Sequence, residues 1–413
     1  MATLKLDKIL NFGLYLTLFS QFISYLSNHI LLLEPILSPL KLLRVLIFLY
    51  FILVFIFTRK FNYLFLIISS LLIYILIGSF IVLKSCCFLQ YISGFLNFLP
   101  IYCLLIILIN PFSQLFHKQI TGFELNFVRL FFYSNILVQI IQSFSTGSAI
   151  YGLKISIGPI GLWIRSLGFF DIPSTTALAS LSIICFLSKE QLKNKTAKNL
   201  KNEFTIKYFL PCAISIFLAA SGTAIIGLFL YIYYARNLLI LDFLPNLYIL
   251  KKILRSNFII NLLAIGIPLS ILIYFSLPFL LGREDILTSF VGRINILKDI
   301  SNELFSLFIP LQNFGLFTNL YQSYGESLTN NISDSTVSSV FVQYGLIFSI
   351  VFFAFIFFSF LKVLFPKFLN IKYLPMTILP FLPIFLTSNI FENYVPLYSF
   401  LICFTPSKIY NLK

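Results

Sequence analysis

Uncharged apolar stretches long enough to cross a bilayer constrain this chain more than any motif in it. From Ile9 to Leu33 there is no Asp, Glu, Lys or Arg, and comparable runs recur into the C-terminal region. About 20 helical residues match the hydrocarbon thickness of a bilayer. By that yardstick spans fall at 9–33, 42–58, 62–83, 87–110, 125–143, 174–188, 208–221, 222–238, 257–280, 338–361, 373–387 and 393–406. Apolar residues make up 59% of the chain, charged ones 10%, and the mean hydropathy is +0.97. One soluble core cannot use that much apolar surface. Backbone polar groups in hydrocarbon must be satisfied within their own segment, which selects helices, and the alternating short segments of a transmembrane barrel are absent from the sequence. The expected fold is an all-α integral membrane protein of about twelve helices, one polytopic domain over 1–413.

The run from Ile9 is too long for a cleaved leader and lacks a small-residue cleavage site, so it is read as the first span. The stretch 208–238 is read as two short helices broken at Ser221-Gly222, because Gly weakens a helix interior. With that break, one side of the membrane collects 20 Lys/Arg against 5 Asp/Glu, and the other 8 against 9. The basic side is cytoplasmic by the positive-inside rule, which puts both termini inside. Topology therefore accounts for the net charge of +15. The basic residues sit in short segments with no domain to form a groove, so no nucleic-acid partner is expected. Cys86, Cys87, Cys103, Cys185, Cys212 and Cys403 lie in or beside apolar runs without metal-ligand spacing, and are read as packing residues or lipid-facing ones.

Two outer segments exceed a simple turn: 144–173 and 281–337. In the second, Leu297, Ile300, Leu304 and Phe308 recur at helical spacing while Asn295, Lys298, Asp299 and Asn302 take the other face. This predicts an amphipathic helix lying on the membrane or over a cavity. The first segment ends in Arg165-Ser-Leu-Gly168-Phe-Phe-Asp171-Ile-Pro173. An arginine there can grip phosphate with its planar fork, or can anchor the interface beside Trp163. The second opens with Gly282-Arg283-Glu284-Asp285 and Gly292-Arg293, and closes with Asp334-Ser335 before the span holding Tyr344-Gly345. Two arginines and a carboxylate can hold a diphosphate and deprotonate a hydroxyl. The plainer reading is a solvated loop whose charges pair with one another.

The order of these features carries more than any one of them. An Arg-x-x-Gly-Phe element enters a span, Ser221-Gly222-Thr223 sits in a hairpin, Gly-Arg opens a long late loop, and Asp-Ser precedes Tyr-Gly. Across 145–360 this succession resembles the bacterial O-antigen polymerase and ligase family, membrane glycosyltransferases of the GT-C type. The resemblance implies an enzyme of the cytoplasmic membrane that acts at its outer face on glycans carried by undecaprenyl diphosphate. Arg165 and Arg293 then match the arginines near the lipid diphosphate, and Asp334 takes the position of the acceptor-activating group. Arg283, Gly168, Ser221, Thr223 and Ser335 become substrate contacts. Membrane lipid and a chain-length regulator protein are the further partners it implies.

Two departures stand out. Gly222 occupies the place of an arginine in the family's hairpin motif, and Asp334-Ser335 replaces a His-Asn pair. His29 and His117 lie far from the late loop in the expected topology, and neither substitutes for the missing histidine. Because that histidine is associated with the ligases, the sequence favours the polymerase over the ligase. A flippase or transporter, the remaining alternative, would place ionisable groups at mid-membrane and show paired repeats. Here Arg129 is the charge inside a span, near its inner end where it can snorkel, and Arg44 and Arg236 sit at span ends. No metal-binding or nucleotide-binding motif is found, and no cofactor is expected, since a diphosphate leaving group can be stabilised by cationic side chains.

Overall fold

The computed structural model of the chain describes residues 6–28, 30, 33–58, 69, 72, 76, 99–107, 122–144, 165–170, 172–193, 205–235, 298, 336–364, 378–388, 390 and 393–404. Among them every regular element is helical and no strand occurs. The elements are α1 (Leu6–Ser27), α2 (Glu34–Thr58), α3 (Gly122–Phe144), α4 (Pro173–Lys193), α5 (Leu210–Ala219), α6 (Gly222–Ala235), α7 (Thr336–Leu364), α8 (Leu382–Thr387) and α9 (Tyr394–Phe404). A π-turn, Thr205–Phe209, leads into α5, and a 3₁₀ turn, Leu379–Phe381, leads into α8. Among the described residues two helices, α1 and α2, are long and apolar enough to cross a membrane. The expected spans 62–83, 87–110 and 257–280 lie wholly or largely outside the described residues, as do 145–164 and nearly all of 281–337. From the expected amphipathic helix only Lys298 is described, helical and exposed.

α4 is the central helix, packed against α5, α6 and α9, while α1 joins α2 to α9. From Ala177 to Ser188 every α4 residue is buried. Ala177, Ala179, Ser180 and Ser182 keep its surface low, which lets neighbouring backbones approach. On α1, Gly13 does the same for α9, because a Cβ there would lie 2.2 Å from the Tyr398 ring. Tyr398 in turn stacks on Phe48 of α2 at 4.5 Å and donates its hydroxyl to the Arg44 carbonyl.

Specific contacts set the helix directions. Tyr133 bonds the carbonyl of Lys207 and Gln139 that of Ser215, so α3 and α5 run alongside one another the same way. Gly227 abuts Leu181 and Tyr231 bonds Ser188, so α6 runs with α4. α5 and α6 therefore form a hairpin whose tip lies near the start of α4.

Polarity in α3 is inverted relative to a helix in water. Leu130, Leu137 and Ile141 are 70%, 62% and 52% exposed, whereas Asn135, Gln139 and Gln142 are buried. A water-exposed helix turns its polar stripe outward; this one turns it inward, as suits an outer solvent of hydrocarbon.

Two residues differ from the sequence reading. α2 begins at Glu34, because Glu34 and Pro35 suit a helix start, and continues through Pro39. Arg44 consequently sits inside the helix, its guanidinium 4.0 Å over the Tyr394 ring, rather than at a span end. Lys189, expected in the basic inner segment, is fully buried within α4 and donates Nζ to the carbonyls of Ile402 and Cys403. The last carbonyls of α9 have no intrahelical partner, and an ammonium group meets both that need and the negative end of the helix dipole. Cys103, Cys185, Cys212 and Cys403 are buried packing residues.

Candidate functional site

The polar stripe of α3 defines the site. Asn135, Gln139 and Gln142 fall four and three residues apart, which places them on one helical face. Opposite them runs non-helical backbone, residues 165–170, leading into α4. Buried backbone without helical partners must be satisfied by other protein groups, and the stripe meets that requirement. Gln142 Oε1 accepts the N–H groups of Leu167 at 2.9 Å and Gly168 at 2.8 Å, and its Nε2 donates to the Gly168 carbonyl at 3.3 Å. Asn135 Oδ1 accepts the Phe169 N–H at 2.8 Å. Three successive backbone donors thus converge on two carboxamide oxygens.

Gly168 makes this convergence possible. Its φ of +63° lies in the left-handed region, and an added Cβ would fall 2.2 Å from Asn135 Oδ1. A ring cluster secures the other side of the segment, with Phe169 meeting Phe22, Tyr25 and Phe131 at centroid distances of 5.4, 5.0 and 5.3 Å. Thr176, near the start of α4, donates its hydroxyl to the Leu167 carbonyl.

The same network reaches the hairpin. Gln139 Nε2 donates to Ser166 Oγ at 3.0 Å and to the Ser215 carbonyl at 3.2 Å, while Ser215 Oγ bonds Gln139 Oε1 and lies 2.7 Å from Ser180 Oγ. At the tip, Ala220 adopts a left-handed conformation (φ 48°) that ends α5. The Ser166 N–H reaches the Leu218 carbonyl at 3.2 Å, and Arg165 Nε donates to the Ala219 carbonyl at 3.0 Å. These are carbonyls at the end of α5, where helical partners run out. Arg165 is 8% exposed, held against the end of α5. Its guanidinium supplies a buried positive charge at the junction where α5 ends and α6 begins.

Of the residues singled out from the sequence, Arg165 and Gly168 are brought against the tip and against α3. Ser221 is buried at that tip and its carbonyl starts α6 by accepting the Ile225 N–H at 3.0 Å; Thr223 follows within the first turn of α6. Arg283, Arg293, Asp334 and Ser335 lie outside the described residues.

The next residue, Thr336, opens α7. It donates its hydroxyl to the Ser388 carbonyl at 2.7 Å and accepts the Ile390 N–H at 3.0 Å. Nine residues on, Gly345 breaks α7 with φ 79° and ψ 175°. Arg129 bonds Asn126 at 3.3 Å and lies 5.0 Å over the Tyr208 ring, at the opposite end of α3 from Gln142.

Asn135, Gln139 and Gln142 were not among the residues chosen from sequence, although three carboxamides at helical spacing in an apolar run are a readable signal of an inward polar face. The chain matches no protein-family model, and no curated protein or solved structure is similar to it.

Proposed function

We propose that the chain is a polytopic glycosyltransferase of the bacterial cytoplasmic membrane, with about twelve spans and both termini inside. It polymerises oligosaccharide repeat units carried on undecaprenyl diphosphate at the outer face. The observation that carries this reading is the docking of residues 165–166 on the last carbonyls of α5, directly before the second motif at 221–223. Arg165 Nε bonds the Ala219 carbonyl across 54 residues of sequence, which supports a single site built from both segments. The inward polarity of α3 supports the membrane setting.

In the proposed reaction a sugar hydroxyl of one lipid-linked unit attacks the anomeric carbon of the glycan on a second lipid. The new glycosidic bond forms as the anomeric carbon–oxygen bond to diphosphate breaks. The hydroxyl proton passes to Asp334, and undecaprenyl diphosphate leaves. Arg293, with Arg283 as an auxiliary, stabilises the negative charge on that leaving group, since fixed cations act most strongly where charge develops. Arg165 holds the hairpin tip and adds positive potential there.

The test is the length distribution of the surface glycan in a strain lacking the protein. Loss of the ladder with single repeats still attached is the expected result. Complete loss of attached glycan would replace this reading with a ligase or a flippase.

A further inference from the structure

Resting on that reading, we infer that Gln142, assisted by Asn135, is the positioning residue that sets Arg165 at the hairpin tip and so governs the affinity for undecaprenyl diphosphate. Non-helical backbone cannot hold a side chain in register by itself, because nothing in its own hydrogen bonding repeats. Residues 165–170 obtain their register from α3 instead. One carboxamide takes up three backbone groups, the N–H of Leu167 and both the N–H and the carbonyl of Gly168. A neutral carboxamide suits this task, since it offers two acceptor lone pairs and two donors in one plane without bringing a charge into hydrocarbon. Asn135 takes the next N–H, that of Phe169. The residue on the other side of this clamped stretch is Ser166, whose N–H is spent on the Leu218 carbonyl at 3.2 Å. Arg165 then reaches the Ala219 carbonyl through Nε, with 8% of its surface exposed. Bonds made by α3 and by the end of α5 thus both bear on where its guanidinium sits.

Gln139 is built differently. Its bonds go to the Ser166 side chain and to Ser215 of α5, and its Oε1 accepts from Asn135 Nδ2 at 3.4 Å, so it joins α3 to the hairpin without itself gripping the 167–169 backbone. This separates a residue that fastens helices from one that sets the segment's register.

The experiment uses the full chain in lipid nanodiscs with undecaprenyl diphosphate as the probe, and hydrogen exchange of the peptide containing residues 165–170 as a second readout. Gln142→Leu removes all three backbone bonds. The 167–168 amides should lose protection, and the probe should bind about tenfold more weakly, the equivalent of one lost buried hydrogen bond of about 1.4 kcal/mol. Adding Arg165→Ala to Gln142→Leu should cost little more than either change alone, because residues acting through one another are not additive. Gln142→Glu, whose neutral form keeps a carbonyl acceptor and a hydroxyl donor in the same plane, should retain protection and bind within about threefold of the unaltered protein.

Should Gln142→Leu fail to fold, Asn135→Leu removes the neighbouring bond and tests the same coupling to Arg165 on a smaller scale. The inference is overturned if the amides lose protection while affinity stays unchanged, or if the Gln142 and Arg165 effects add fully. Failure of the unaltered protein to bind the probe would instead sink the functional reading on which the inference stands.

Discussion

Gly168 shows how one backbone angle organises the site. At φ +63° a non-glycine residue carries a penalty of roughly 1–2 kcal/mol, and here the Cβ would also strike the Asn135 carboxamide. Gly168→Ala should therefore lower the thermal midpoint in detergent and reduce the amount of folded protein. The opposite change is expected at Ala220, which holds a left-handed angle (φ 48°) without being glycine. Ala220→Gly relieves that strain at the cost of one buried methyl. A gain of up to about 1 kcal/mol should appear as a raised midpoint; a lowered one would show that the methyl contact outweighs the strain. In the proposed reaction Asp334 receives the proton of the acceptor hydroxyl. An ordinary carboxylate titrates near about pH 4, so it acts as a base only where burial raises its pKa, and otherwise orients the acceptor hydroxyl. With a base, Asp334→Asn should collapse the polymer to single repeats, since general-base catalysis contributes about 10²–10⁴-fold. An orienting group predicts substantial activity with Asn and none with Ala. Normal polymer from Asp334→Ala would leave the arginines to carry the reaction.

α3 shows what a helix contributes beyond its length. Its apolar character places it in the sequence as a span, and the described helix, Gly122–Phe144, extends the expected 125–143 by a few residues. The spacing of Asn135, Gln139 and Gln142 shows a polar face, but not what that face would meet. The break between α5 and α6 falls beside Ser221-Gly222, where the sequence puts it, whereas the π-turn before α5 and the left-handed angle at Ala220 have no signal in the sequence. Gln139 links the Ser166 hydroxyl, the Ser215 carbonyl and the Ser215 hydroxyl. Gln139→Leu leaves these groups without that partner. Stability should fall by about 1–3 kcal/mol, read as reduced resistance to thermal denaturation in nanodiscs. An unchanged midpoint would mean that the serines find other partners.

At the scale of the whole molecule, the proposed topology sets 281–337 outside and 189–207 inside, because the first holds three basic and six acidic residues and the second six basic and two acidic. A cysteine introduced at Ser323 should react with an impermeant thiol reagent in intact spheroplasts, and one at Asn199 should not. The reverse pattern would invert the topology. Lys189 cautions against counting every lysine as a solvated one, since its charge is spent inside the fold on the last carbonyls of α9.

The helical class follows from the sequence alone, because hydrocarbon forces each segment to satisfy its own backbone and apolar run length then reports where helices lie. The described helices at Gly122–Phe144, Pro173–Lys193, Thr336–Leu364 and Tyr394–Phe404 fall where those runs place them. Gly168 and Ser221 were marked by local motif. What only the tertiary structure decided is partnership. An apolar or polar pattern says which face is buried and nothing about which distant carbonyl waits there. Arg165 meeting Ala219, Gln142 clamping Leu167 and Gly168, and Lys189 closing α9 are all contacts between segments far apart in sequence. They arise because leaving a backbone group unsatisfied away from water costs several kcal/mol, on the order of 2–7, so contacts of this kind select among the alternatives that the same hydrophobic pattern would permit.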